Sequence, residues 1–462
     1  MTPEERTVWV DKAKTVVLSF LVVISLILSW FLINSQPKYD YLHPAEYVER
    51  QPIGVKKELH QLVKPQQIVF HLGQEQFTSA LPETVHYRII SREMEKWYFF
   101  NFRPVRLSLK EWEQTMKERK ALEIIYHTAV PMDIMGEIFT FRGKAEGLSA
   151  VKRILIYIDK DEEETYVIFT DQEGKQLEAR TAITSRDLTQ FYLSLGTALP
   201  EQTAYGVDDG EQRRYLYLPS APSVMKEFQY FYQPISVWQM IQSLFVDPTL
   251  IRQVTERDGT TIYTDGSKGV QITPNQRSLH FQDPMADSVD SPSSQSHFHS
   301  VLNFLNEHGG WNGEYILEGI QNLQDEESYS FRQYIGSHPI YAGRGEMLGL
   351  VEVVTKQSYI SSLHRPLINV DTFFHHEDIS IISGKEAIKR LAERDFNLKE
   401  VEEFQLGYRS IINDNHIRFT PAWVVKLRGK EKEPIFIDAE QKEEADGLEK
   451  SQNPAHPSVP SA

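Results

Sequence analysis

The sequence predicts an α+β protein: a single amino-terminal transmembrane helix followed by a multi-domain extracytoplasmic region of antiparallel sheets with packed helices. Three observations predict it. The 19-residue run from Thr15 to Ile33, TVVLSFLVVISLILSWFLI, holds no charge, and at about 1.5 Å per residue a helix of that length reaches about 28 Å, close to the hydrocarbon thickness of a bilayer. Beyond it, short β-branched and aromatic runs alternate with segments of helical periodicity. The 462 residues include no cysteine and carry a formal net charge of −16, which excludes disulfides and thiol chemistry and leaves no basic stripe for a nucleic-acid backbone.

Topology follows from the flanks of the apolar run. Arg6, Lys12 and Lys14 precede it and only Lys38 follows closely, so the cation bias places residues 1–14 in the cytoplasm and the bulk outside the cell membrane. A cleaved signal peptide is the competing reading. The run is longer than the usual apolar core of such a peptide and ends WFLINSQP, without a pair of small residues to cut. An uncleaved anchor is expected at 15–33 and a proline-bearing stalk at 34–52.

The first exterior domain is expected over 53–185. IVFHLG (68–73), HYRII (86–90), WYFFNF (97–102), ALEIIYH (121–127), RILIYID (153–159) and YVIFTD (166–171) read as strands, and Leu109, Trp112 and Met116 mark an amphipathic helix over 107–119. A middle α+β domain, 186–284, is expected from a helix at 185–196, strands RRYLYLP and FQYFYQPIS, a helix stopped by Asp247-Pro248, and a three-strand meander over 260–284 turning at Asp265-Gly266 and Pro274-Asn275. The Ser/Asp-rich stretch 285–295 reads as a linker. A third domain, 296–440, opens with a helix ended by Gly309-Gly310. It continues through the strands YILEGI, YSFRQYI and LGLVEVV to a helix capped by Ser383 with Glu386, and closes on three strands, EEFQLGYRSI, IRFTPAWVVKLR and PIFIDAE. Residues 441–462 carry too little apolar surface to offset ordering entropy and read as a disordered tail.

Catalytic chemistry finds little support. His297 and His299, and the run His375-His376-Glu377-Asp378, are the best metal candidates, but neither has the HExxH spacing of a zinc hydrolase. The first reads as alternation at a helix start and the second as a solvated loop. The acidic run around Asp159, Asp161 and Glu162 to Glu164 lacks the glycine and oxygen spacing of a calcium loop, and Gly343, Gly345 and Gly349 do not make a dinucleotide fingerprint. No cofactor, metal site or catalytic residue is expected.

The closing helix-and-strands pattern, with PAW in one strand and IDAE ending the next, is similar to PepSY-like modules. On a larger scale LFVDPTLIRQV, IYTDGSKGVQI, ILEGI with FRQYIGSHPI, HRPL, and LGYRSI with PAWVV and IDAE, in that order behind one anchor, resemble the YycH family. That resemblance implies a regulator of the WalK (YycG) sensor histidine kinase of Gram-positive bacteria, acting with a YycI-like membrane protein and engaging the kinase largely through membrane helices.

Inside the anchor, Thr15, Ser19, Ser25 and Ser29 fall within an arc of roughly 120° on a helical projection, shared by Leu18, Val22, Leu26 and Ile33. Small hydroxyl side chains let helix backbones approach and hydrogen-bond, which a lipid-facing side does not need. This face is expected to contact a partner helix. The alternative is an envelope-facing ligand-binding or assembly protein whose anchor is only a tether.

Overall fold

The computed structural model describes residues 3–34, 53–159, 164–208, 213–284, 297–323, 326–343, 346–357, 359–429 and 434–441. It divides into a unit before residue 50, built on the helix Pro3–Asn34, and a unit from Arg50 onward. The expected linker 285–295 lies outside the described residues, as do the stalk beyond Asn34 and the tail beyond 441. Among the described residues no helix is long and apolar enough to cross a membrane; in Pro3–Asn34 the unbroken run of described side chains is 16–30.

The larger unit is built from two sheets. Ten strands form the first: β1 Gln67–Gly73, β2 Gln76–Ala80, β3 Tyr98–Val105, β4 Ala121–Pro131, β5 Thr140–Arg142, β6 Ala150–Ile158, β7 Thr165–Thr170, β8 Gln176–Thr181, β9 Glu201–Asp208 and β10 Arg213–Pro219, in spatial order β10-β9-β2-β1-β4-β6-β7-β8-β3-β5. Fourteen form the second. These are β11 Ser223–Pro234, β12 Arg252–Thr255, β13 Thr261–Thr264, β14 Gly269–Ile272, β15 Ser278–Gln282, β16 Glu314–Leu323, β17 Glu326–Ile335, β18 His338–Ala342, β19 Leu350–Lys356, β20 Tyr359–Pro366, β21 Ile368–Ile381, β22 Val401–Ile412, β23 His416–Leu427 and β24 Ile435–Asp438. Their order is β12-β13-β14-β15-β20-β19-β17-β18-β22-β23-β11-β21, with β16 beside β17 and β24 beside β23. Pairing is antiparallel except for β3 with β5 and β18 with β22.

The strands at 186–284 make no sheet of their own: β9 and β10 extend the first sheet, while β11 to β15 belong to the second. The expected strand HYRII is a helix, Val85–Met94, because Thr84 accepts from the Tyr87 amide at its start and Tyr87, Ile90 and Met94 recur at helical spacing into the core. The expected amphipathic helix is Leu109–Glu118, with a Ser108–Glu111 capping box; it buries Trp112 and Met116 and leaves Leu109 exposed. The helix His297–Glu307 ends where Gly309 and Gly310 take φ of +104° and +68°, a backbone that side chains rarely allow.

One large core fills the space between one face of the first sheet, its helices and the strands β14 to β17, β19 and β20. A second lies under β11, β18, β22 and β23 and holds Trp423, with no accessible surface. A smaller third packs helix Leu109–Glu118 on the opposite face of the first sheet. The two sheets share apolar packing in both larger cores, since Val207, Leu216 and Leu218 of β9 and β10 pack in the second, and a polar network joins them as well.

Candidate functional site

In the expected contact face, the side chains of Leu18, Ser19, Val22, Ser25, Leu26 and Ser29 are exposed on the helix Pro3–Asn34; those of Thr15 and Ile33 lie outside the described set. Ser25 and Ser29 line a shallow groove with Leu21, Ile24 and Leu28. The structure thus gathers two of the serines with residues from one flank of the face rather than with Leu18, Val22 and Leu26.

The strongest concentration of chemistry lies in the larger unit, where the sheets meet. His127, inside β4 where its register with β6 slips, is buried; its Nδ1 lies 3.0 Å from Glu403 Oε1 on β22 and its Nε2 lies 2.6 Å from the Tyr334 hydroxyl on β17. Both ring nitrogens are thus engaged, one by a carboxylate and the other by a hydroxyl. Lys426 on β23 bridges onward, 2.9 Å from Glu403 Oε2 and donating to Glu318 Oε1 at 2.6 Å. Arg332 on β17 donates through Nε to Glu318 Oε2 at 2.9 Å, and the Tyr341 hydroxyl donates to Oε1 at 3.0 Å. Gln405 then donates to Tyr341 and accepts from Gln66, just before β1.

Charge balance explains how such a group is tolerated away from water. Burial pushes the Glu403 carboxyl up, but Lys426 and His127 outweigh it and bring it to about 2. At Glu318 burial again works upward, and Arg332 with Lys426 hold it well below the usual carboxylate range. Lys426 is raised in turn: its burial is overcome by the two carboxylates.

Beside this network opens a cleft of about 860 Å³, floored by the first sheet and closed by the start of β22, a size within the range of small-ligand sites. Lys152 on its floor donates to Glu402 at 3.0 Å, Arg214 donates to the Glu402 carbonyl at 2.7 Å and also to that of Val401, and Trp112 and Tyr215 supply apolar lining. Next to it a second buried cluster lies within the first sheet. Glu123 on β4 accepts from Arg153 at 2.9 Å and from the Tyr217 hydroxyl at 2.7 Å and lies 3.1 Å from His71 Nε2. Burial pushes Glu123 up, and Arg153 and His71 bring it below the ordinary value.

Neither histidine candidate is assembled into a metal centre among the described residues. His297 and His299, at a helix start, face Glu327 and Glu137. The run His375 to Asp378, expected as a loop, is instead part of strand β21, because β11, far earlier in the chain, pairs with it and sets Phe228 opposite His376. Sequence reasoning missed the junction residues. Their signal was present: Glu318, Arg332 and Lys426, like Glu123 in the neighbouring cluster, each interrupt a largely apolar strand run, where an ionised side chain needs a partner.

Comparison with known proteins covers both halves of the chain. The family model "YycH protein, N-terminal domain" matches residues 11–192 and "YycH protein, C-terminal domain" matches 213–441. The chain is 21% identical over 456 residues, 94% of its length and 98% of the relative's, to the two-component system WalR/WalK regulatory protein YycH of Bacillus subtilis (strain 168). The crystal structure of YycH from Bacillus subtilis superposes with a TM-score of 0.67 at 16% identity, covering 83% of this chain and 98% of that one.

Proposed function

The chain belongs to the YycH family, and from that premise we propose that it is a non-enzymatic regulator of a WalR/WalK-type two-component system, held in the cell membrane by the helix at 15–33 and acting on the sensor kinase together with a YycI-like partner. The observation that carries this reading is the match along both halves of the chain to a family whose Bacillus relative is named for that regulation. Two further features support it: the uncharged run 15–33 has the length of a span, and Ser25 and Ser29 are small side chains in a shallow groove between Leu21, Ile24 and Leu28, where a second helix could approach closely.

A tether-only reading is favoured by one observation, the cleft beside the sheet junction, which gives the larger unit a place for a ligand. Exchanging 15–33 for an unrelated transmembrane helix separates the two. Regulation of kinase output, read as the change in phosphorylated response regulator caused by deleting the chain, is expected to be lost on the exchange and weakened by Ser25→Leu with Ser29→Leu, while protein level and membrane insertion stay normal. Full regulation by the exchanged chain would leave the tether reading standing and remove the helix-contact mechanism.

A further inference from the structure

The second sheet ends in an open edge. β21 is paired on one side by β11, and among the described residues its main chain is otherwise met at its two ends, by Asn312 Nδ2 donating to the Ile368 carbonyl and by the segment around Glu440 beside Ile381. Between those ends, Asp371 to Asp378 are all exposed. An exposed edge of this length is a row of unanswered N–H and C=O groups, a template for another strand.

The side chains along this edge are unusual for a bare one. Phe374 and Phe231 stack at 4.3 Å between ring centroids, with exposures of 41% and 42%. On the other face Phe373, 43% exposed, meets Phe228 and Tyr230 edge-on. Acidic groups flank the rings. Asp371 accepts from Gln233 and Asp378 pairs with Lys226, while Glu377 has no ion-pair partner among the described residues. The register with β11 slips twice, around Tyr230, leaving Phe374 without an opposite residue. Bulges and charges are how edges avoid indiscriminate pairing. They also set which strand is accepted.

A second copy of this chain fits poorly. Antiparallel self-pairing centred on Phe374 and His375 would set Asp371 against the partner's Asp378 and Thr372 against the partner's Glu377, and like charges directly opposite are destabilising. A strand with lysine or arginine at alternate positions fits better, because it answers Glu377 and Asp371 and can lay guanidinium groups on the exposed rings. We propose that the free edge of β21 takes an extended basic segment of a partner protein by strand addition, with Phe373, Phe374 and Glu377 selecting it. The proposal rests on the regulator reading above for its biological setting and supplies that reading with a docking surface outside the membrane helix.

The test uses the full chain in lipid nanodiscs and a synthetic peptide alternating valine with lysine and arginine. A version with a central proline and a version with glutamate as its charged residue are the controls. Saturable binding of the basic peptide is expected, with amide exchange in 371–378 slowed about tenfold, weak binding of both controls, and about a tenfold loss of affinity in Glu377→Lys and again in Phe374→Lys. Both positions are exposed, and unchanged thermal unfolding checks that the variants fold. Equal binding of the proline peptide, protection elsewhere than 371–378, or full affinity in both variants overturns the proposal. Kinase output is read in parallel. Regulation that disappears on deletion of the chain but persists in the double variant overturns the docking role and leaves the regulator reading intact; output unchanged by deletion removes the regulator reading, and the peptide measurements still decide the edge.

Discussion

The two buried charge clusters use the same parts in different places. Around Glu123, an arginine, a histidine and a tyrosine hydroxyl converge within one sheet, on strands β1, β4, β6 and β10. Around Glu318 and Glu403, an arginine, a lysine, a histidine and two tyrosines converge from both sheets. The first cluster can be lost with one sheet loosened. The second ties β4 of the first sheet to β16, β17, β22 and β23 of the second, so its loss changes how one sheet feels the other. A regulator that must carry a state along its length needs such a coupling element, and two mutually dependent sheets supply a candidate.

The largest expected effect comes from removing the central carboxylate of each. Glu318→Leu leaves Arg332 without a counter-charge and Lys426 with one carboxylate instead of two, which is expected to cost about 3–5 kcal/mol. Glu123→Leu leaves Arg153, whose guanidinium borders the cleft and can regain water, and is expected to cost about 2–3 kcal/mol. Calorimetry of the full chain distinguishes them in kind as well as size. Glu318→Leu is expected to split the unfolding of the larger unit into two transitions, whereas Glu123→Leu lowers the stability of the first sheet. A single shifted transition in both variants would erase the distinction between local and bridging clusters.

Acid should act on the same contrast at smaller scale. Burial lowers His338 on β18 from 6.5 to about 4 and, likewise, His364 on β20 to about 4. A histidine whose folded value is lowered binds protons more readily when unfolded, so its stabilisation is complete above about 6.5 and is lost as pH falls toward 4. Glu403, brought from 4.5 to about 2, stabilises fully above 4.5 and loses that contribution as pH falls toward 2. Thermal melts against pH are expected to show the second sheet weakening first, below about pH 6.5, and the junction following below about pH 4.5. His338→Phe should flatten the first decline by about 2 kcal/mol or less, since the ring keeps some contact with solvent. An undiminished decline in that variant would place the acid-sensitive group elsewhere.

Much of this was legible residue by residue and little of it pairwise. The meander over 260–284, the helix ended by Gly309-Gly310 and the last three strands follow from local turn chemistry and periodicity, and they appear where expected. The run His375 to Asp378 misled because a charged, histidine-rich stretch has poor strand character on its own; β11, far back in the chain, makes it a strand. HYRII misled because five residues cannot show a helical period, and Met94 and the Thr84 cap complete it only outside that window. The same limit hid the site. Glu318 stands out within ILEGI as an acid in an apolar run, but nothing local says that Lys426 and Arg332 will meet it, because partner choice is set by sheet order rather than by spacing.

The smallest predicted effect is the sharpest probe of the comparison. Gln405 links the sheets through uncharged groups alone, accepting from Gln66 at 2.9 Å and donating to Tyr341 at 3.0 Å. Gln405→Ala removes two partly buried hydrogen bonds and should cost about 1 kcal/mol, seen as roughly fivefold faster amide exchange near β22. Its value lies in combination. Tyr341 donates to Glu318, so Gln405→Ala and Glu318→Leu act on one shared partner and are expected to be non-additive by about 0.5 kcal/mol or more. Glu123 shares no hydrogen-bond partner with Gln405, so that double variant should be additive. Coupling of Gln405 to Glu123 as strong as to Glu318 would mean that the two clusters form one continuous network through the first sheet, and that the boundary drawn between them at β4 is not a physical one.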